Sequence, residues 1–592
     1  MPSPIEDYAL IGDCHSAALV AREGSIDWLC LPRFDSGACF AALLGTPEHG
    51  RWLLAPAGEV LSTTRRYVED TLVLETEHVT PTGAVTVVDF MRVRANHPRL
   101  VRIVRGTRGA VAMHMQLVVR FDYGAVVPWV SQSRDGWRAV AGPDCLTIHT
   151  PVKLRGEALT TVADFEMREG ESVAFVMTWH ASYDDAPPPL DAETALAHTY
   201  EWWKTWSSRC TYDGPHRDPV MRSLITLKAL TYAPTGGIVA APTTSLPEKI
   251  GGVRNWDYRI CWLRDATFSL FAFMRSGYID EARAWRLWLV RAVAGTPSQV
   301  NIMYGLAGER RLTEIELPWL PGYMGSKPVR IGNAAFTQFQ LDVFGEVAAA
   351  LHVARAEGIE PNGDAWKVEL ALAEFLETAW QEPDEGIWEV RGPRRHFTHS
   401  KVMAWLAFDR LIASAEQFEL EAPLERWRAI RAEIHEDVCR NGYDAGRGTF
   451  VQYYGCKEVD ASLVMIPLVG FLPAHDPRVL GTIDAIQREL VVDGLVMRYR
   501  TDPNVEGLPP GEGVFIACTL WLANALTLLD RCDEARAMFD RVLGLCNDVG
   551  LLAEEYDPHA KRLIGNFPQA LSHVAIIACL CRLQGTPPPV AV

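Results

Sequence analysis

The chain has 592 residues, 48% hydrophobic and 22% charged, with a net charge of −17. Such a length predicts at least two domains with large cores, and the apolar share with 19 tryptophans excludes a disordered chain. The acidic balance argues against nucleic acid or an anionic membrane as main partner, because both need a basic surface.

From residue 72 to 182 the pattern has period two and is rich in strand formers. Segments 72–79 and 84–90 flank Thr80-Pro81-Thr82-Gly83 and read as a hairpin. Segments 100–104, 111–121, 137–150 and 172–180 continue in the same style, which predicts an antiparallel β-sandwich over residues 1–190. The run Pro187-Pro188-Pro189 is a stiff linker. Residues 191–214 follow as a linker helix, with Trp202, Trp203 and Trp206 spaced to pack between domains.

After residue 215 the period changes to 3.6, up to residue 592. Twelve helical stretches begin near Asp218, Ala266, Ile279, Ala334, Asp364, Thr398, Pro423, Val459, Asp476, Gly513, Asp533 and Gln569. They fit six helical hairpins closed into an (α/α)6 toroid. A solenoid would show a fixed repeat, and none is visible. In a toroid the long loops collect at one end. Here they hold Trp256, Trp262, Trp319 and Trp388.

No segment approaches the roughly 18 uninterrupted apolar residues of a membrane span. The first residues, Met1-Pro2-Ser3-Pro4-Ile5-Glu6-Asp7, carry acids where a secretory signal carries a basic and then an apolar run. The 13 cysteines are scattered without a C-x-x-C pair, which predicts reduced, mostly buried thiols and a cytoplasmic location. No zinc spacing and no glycine-rich nucleotide motif occurs, so neither metal nor nucleotide chemistry is expected.

Aromatic rings stack on the apolar faces of sugars, and ionised groups bind the hydroxyls. Three loop stretches have that make-up: 251–265, with Tyr258, Trp262, Arg264 and Asp265; 383–392, with Trp388 and Glu389; and 550–558, with Glu554 and Glu555. With the blocks at 5–13, 24–30, 397–403, 460–463 and 565–570, their joint order resembles the glucoamylase–trehalase family of inverting α-glucosidases, glycoside hydrolase family 15, over nearly the whole chain.

The resemblance implies the same β-sandwich and (α/α)6 barrel. It also implies that Glu389 is the general acid, protonated in an apolar pocket walled by Ile387 and Trp388. Glu554 is then the base, ionised and activating a water, with the two carboxyl groups about 6.5–9.5 Å apart to leave room for it. Arg264 and Asp265 match the pair that holds the non-reducing glucose, Trp262 an aromatic wall, and Tyr258 a hydroxyl near the attacking water. Arg500 is a further candidate for sugar binding.

Plainer readings stand beside these. A lone loop glutamate is usually a solvated charge, and Glu382, Glu385 and Glu555 are read so, although Glu555 is one residue from the base. Arg264 and Asp265 also suit a helix-start ion pair. His399 and His573 lie on apolar helical faces and read as satisfied core histidines.

Many glucoamylases carry a second acid directly after the general acid, where this chain has Val390 and then Arg391. The expectation is therefore a short pocket for a small α-glucoside. Trehalose is favoured through likeness to the bacterial trehalase-like branch, with isomaltose or malto-oligosaccharides as alternatives. A disaccharide phosphorylase or an inactive sugar-binding protein on the same scaffold is disfavoured by the two glutamates. The chemistry requires no cofactor. Dependence on phosphate or magnesium, and a homo-oligomeric state, are left open.

Overall fold

The computed structural model describes residues 2–93, 96–133, 136–359 and 363–585. Strands start well before residue 72: Tyr8–Gly12, Ala17–Ala21 and Ser25–Cys30 form a meander buried along its whole length. Burial on both faces removes the alternation by which a half-buried strand is recognised. Trp28 Nε1, for instance, donates to the Pro242 carbonyl at 2.7 Å, and Asn547 Nδ2 to the Tyr8 carbonyl at 2.8 Å.

The expected hairpin forms from Leu74–Thr80 and Gly83–Met91, with Thr80 opposite Gly83. The two segments read at 100–104 and 111–121 lie in one 20-residue strand, Arg99–Val118. Its first half pairs with Gly83–Met91 and Ser172–Ala181, its second with Arg51–Pro56 and Thr160–Arg168. One strand thus serves both layers of the antiparallel sandwich. It turns near Gly109, whose φ of +61° suits glycine.

Helix α1, Ala192–Ser207, is capped by Asp191, whose side chain accepts from Thr194 N. Its Trp206 stacks on Tyr278 at 4.1 Å and donates from Nε1 to Glu281 at 2.7 Å, joining the linker to the helical domain.

Thirteen more helices follow: α2 (Arg217–Ala229), α3 (Leu263–Arg275), α4 (Ile279–Val293), α5 (Asp342–Ala356), α6 (Gly363–Ala379), α7 (Thr398–Gln417), α8 (Leu424–Asn441), α9 (Met465–Leu468), α10 (Pro477–Leu490), α11 (Pro503–Glu506), α12 (Ile516–Leu528), α13 (Cys532–Leu543) and α14 (Ala570–Leu583). Helices α14, α3, α5, α7, α9 and α12 pack each on the next and close a ring. Helices α2, α4, α6, α8, α10 and α13 lie outside it. Sequence follows position: α12 is buried from Ile516 to Leu526, whereas α8 buries Trp427, Ile434 and Val438. The stretch read as helical from Ala334 is a short 3₁₀ turn, and α5 begins only at Asp342.

Among the described residues no helix is long and apolar enough to cross a membrane. All 13 cysteines are free, eight of them buried.

Candidate active site

Four of the long loops line one narrow cavity. The loop before α3 is held by the sheet domain. Asp257 and Arg259 form a buried bidentate pair (2.9 and 2.6 Å), and Arg259 Nη1 also donates to Tyr123 Oη (2.8 Å) and the Ser36 carbonyl (3.0 Å). Tyr258, between them in sequence, lines the cavity. Arg264 and Asp265 follow in the first turn of α3 and pair at 3.4 Å. Arg264 also donates from Nη1 to the Ile387 carbonyl at 2.9 Å, so it is more than a helix-start ion pair.

Glu389 sits at φ +58°, a strained backbone for a residue with a side chain. Trp262 Nε1 donates to its Oε1 at 2.6 Å, and Gln338 Nε2 to its carbonyl at 3.2 Å. Trp388 is fixed by two 2.9 Å bonds from Nε1 to the Asp460 carboxylate and stacks near Trp521 at 6.1 Å. Glu389 is thereby held rigidly at the cavity wall.

Glu554 precedes the strand Glu555–Asp557, which pairs with Val514–Phe515. Its Oε1 accepts from Tyr258 Oη at 2.5 Å. Neighbours along a strand point to opposite sides. Glu554 accordingly lines the cavity, whereas Glu555 accepts from Gly513 N at 2.8 Å and is fully buried. Glu555 is not the solvated charge expected of it. Glu382 is exposed as expected, but Glu385 is half-buried, accepting from Phe339 N and Arg394.

The structure also corrects the arginine expected to bind sugar. Arg500 is exposed, its Nη2 3.5 Å from the Glu489 carbonyl, and it does not line the cavity. Arg498, two residues earlier, does. It bonds Glu248 (2.9 Å) and Glu512 (2.7 Å), with Glu555 at 3.7 Å. Glu248, Glu512 and Glu555 bring carboxylate oxygens within 4.8 Å of one another, but the Arg498 guanidinium already supplies their countercharge. A divalent cation fits that set poorly.

Of the two histidines, His573 is satisfied by Ser223 Oγ at 3.0 Å and Leu552 N at 3.3 Å. His399 is buried, but its Nδ1 has no hydrogen-bond partner among the described residues.

Burial raises the pKa of Glu389, with Arg264 and the Trp262 hydrogen bond opposing it. This is the direction that a general acid requires. Burial, aided by the Glu248 charge, pushes Glu554 up to about 8, against Arg498 and the Tyr258 hydrogen bond. The two carboxyls are therefore not driven apart as expected for an acid and an ionised base. Glu248 is the acid neighbour that the sequence reading missed.

Glu248, Arg254, Arg498 and Glu506 all line the cavity and were not singled out. Isolated loop charges carry no local pattern that separates them from solvated ones. Arg498 and Arg500 stand two apart in one stretch, and only the burial of Arg498 in the fold separates them.

Residues 214–581 match the model of glycosyl hydrolases family 15, and residues 1–174 match that of the trehalase-like N-terminal domain. A trehalase of Mycobacterium tuberculosis is 38% identical over 97% of this chain and 88% of its own. A trehalase of Thermoplasma acidophilum is 36% identical over 96% of this chain and 98% of its own. In fold, the chain is similar to a bacterial glucoamylase complexed with acarbose. The TM-score is 0.75 at 11% identity, with 99% of this chain and 96% of that one covered.

Proposed function

Since the chain belongs to glycosyl hydrolases family 15, we propose that it hydrolyses trehalose with inversion, using Glu389 as general acid and Glu554 as general base. The observation that carries this reading is a pair of buried carboxyls on one cavity, each bonded to an aromatic donor from a single loop, Trp262 and Tyr258.

Glu389 keeps its proton through burial and gives it to the glycosidic oxygen as the bond breaks. Glu554 takes a proton from water, which attacks the anomeric carbon from the opposite face. Tyr258 and Arg498 favour the ionised form of Glu554 that this step needs. Arg264 binds hydroxyls of the attacked ring and Trp388 walls it, while Asp265 and Trp262, which do not line the cavity, hold Arg264 and Glu389 in place. Arg498, and not Arg500, is the arginine of that stretch that lines the cavity.

The chemistry requires neither an organic cofactor nor a metal. A cytoplasmic location and the division at 1–190, 191–214 and 215–592 belong to the same reading. The relatives named trehalase favour trehalose over isomaltose or malto-oligosaccharides.

Proton NMR during hydrolysis of trehalose tests it. Attack on one ring releases β-D-glucose, while the departing ring leaves as α-D-glucose, so equal early amounts of the two anomers are expected. Release of the α-anomer alone overturns inversion. A kcat/KM higher for maltoheptaose or soluble starch than for trehalose overturns the substrate.

A further inference from the structure

Val390 denies the cavity an acid directly after Glu389 in sequence, but the fold brings another there. The loop that carries α11 lies against the chain leaving Glu389. Arg391 N donates to the Glu506 carbonyl at 3.0 Å, and a Cβ on Gly392 would meet the Val505 carbonyl at 2.1 Å. Glu506 is 2% exposed and lines the cavity. Its Oε2 accepts from Arg254 Nη2 at 2.7 Å, and Arg254 also lines the cavity.

Each partner keeps a polar atom in hand. Glu506 Oε1 and Arg254 Nε are both buried and have no hydrogen-bond partner among the described residues. Buried polar atoms of this kind are costly unless something bonds them. A carboxylate acceptor beside a guanidinium donor suits vicinal hydroxyls, one of which donates while the other accepts.

Their position decides which sugar ring they meet. Trp262 and the Arg264–Asp265 pair hold the Glu389 segment from the α3 side. Arg254 and Glu506 approach from the side towards which the chain leaves Glu389. An acid that protonates the departing oxygen stands between the two rings.

We propose that Arg254 and Glu506 bind the departing sugar and make a glucosyl group the preferred leaving group. The inference rests on the reading of trehalose as substrate. It assigns specificity to two residues far apart in sequence, and neither takes part in the proton transfers.

The experiment compares kcat/KM for trehalose and for α-D-glucosyl fluoride, whose leaving group is too small to reach the pair, in wild type, E506Q and R254K. Loss of a hydrogen bond to a charged group predicts a fall of about 10- to 100-fold on trehalose for each variant. On the fluoride a change within about threefold is expected. An equal fall on both substrates in protein of unchanged Tm, or an unchanged kcat/KM for trehalose, overturns the proposal. Should E506Q not fold, R254K gives the same ratio from the other partner. A wild type that cleaves the fluoride but not trehalose refutes the substrate reading itself, before any variant is compared.

Discussion

The proton on Glu554 sets the acidic limb of the rate profile, because only the ionised base can activate water. Two neighbours act on it in opposite directions. Tyr258 donates to Oε1 at 2.5 Å and stabilises the anion, while Glu248 adds a like charge and pushes the pKa up. Tyr258→Phe removes a hydrogen bond to a charged acceptor, worth about 1.5–3 kcal/mol. At 1.36 kcal/mol per pH unit that is a rise of about 1–2 units in the acidic limb. Glu248→Gln removes the like charge and frees Arg498, now 2.9 Å from Glu248, to favour the Glu554 anion. A like charge nearby is worth about one pH unit or more, so this limb moves down. The assay is glucose release from trehalose across about pH 4–11, with kcat/KM fitted to report the free enzyme. The two variants are expected to bracket the wild type, at least about two units apart. Shifts in the same direction, or an unmoved limb in Tyr258→Phe, refute the assignment of Glu554 as base.

Glu389→Gln and Glu554→Gln are each expected to lower kcat by about 10²-fold or more, at a Tm near that of wild type, as read by steady-state kinetics and calorimetry. Glu555→Gln leaves the proton transfers intact; a kinetic loss confined to that variant would move the base by one residue. Arg259→Met strands the buried Asp257 carboxylate and breaks the tie to Tyr123, so a loss of about 3–5 kcal/mol is expected in denaturant unfolding. A stability equal to wild type would deny the sheet domain its part in holding the loop.

Much of the architecture is legible in the sequence because periodicity is a local property. The change from period two to 3.6 separates sandwich from toroid, and the linker helix behind Asp191 and the 74–91 hairpin stand close to where the pattern sets them. The segments bearing Glu389 and Glu554 are legible too, through motif and not through pattern, since any loop glutamate otherwise resembles a solvated charge. The opening strands are missed for the converse reason. Their outer faces are covered by another domain, so Tyr8–Gly12 and Ala17–Ala21 read as apolar throughout.

The tertiary structure alone decides which of two near neighbours faces the cavity. Glu554 lines it and Glu555 does not; Arg498 does and Arg500 does not. It alone brings Glu248, Arg254 and Glu506 together from two separate loops, and it alone buries Glu554 beside Glu248 and so raises its pKa where the sequence predicts an ionised base. The physical reason is that orientation and electrostatics depend on what surrounds a side chain. In a ring of helices the surroundings of an active residue come from segments far away along the chain.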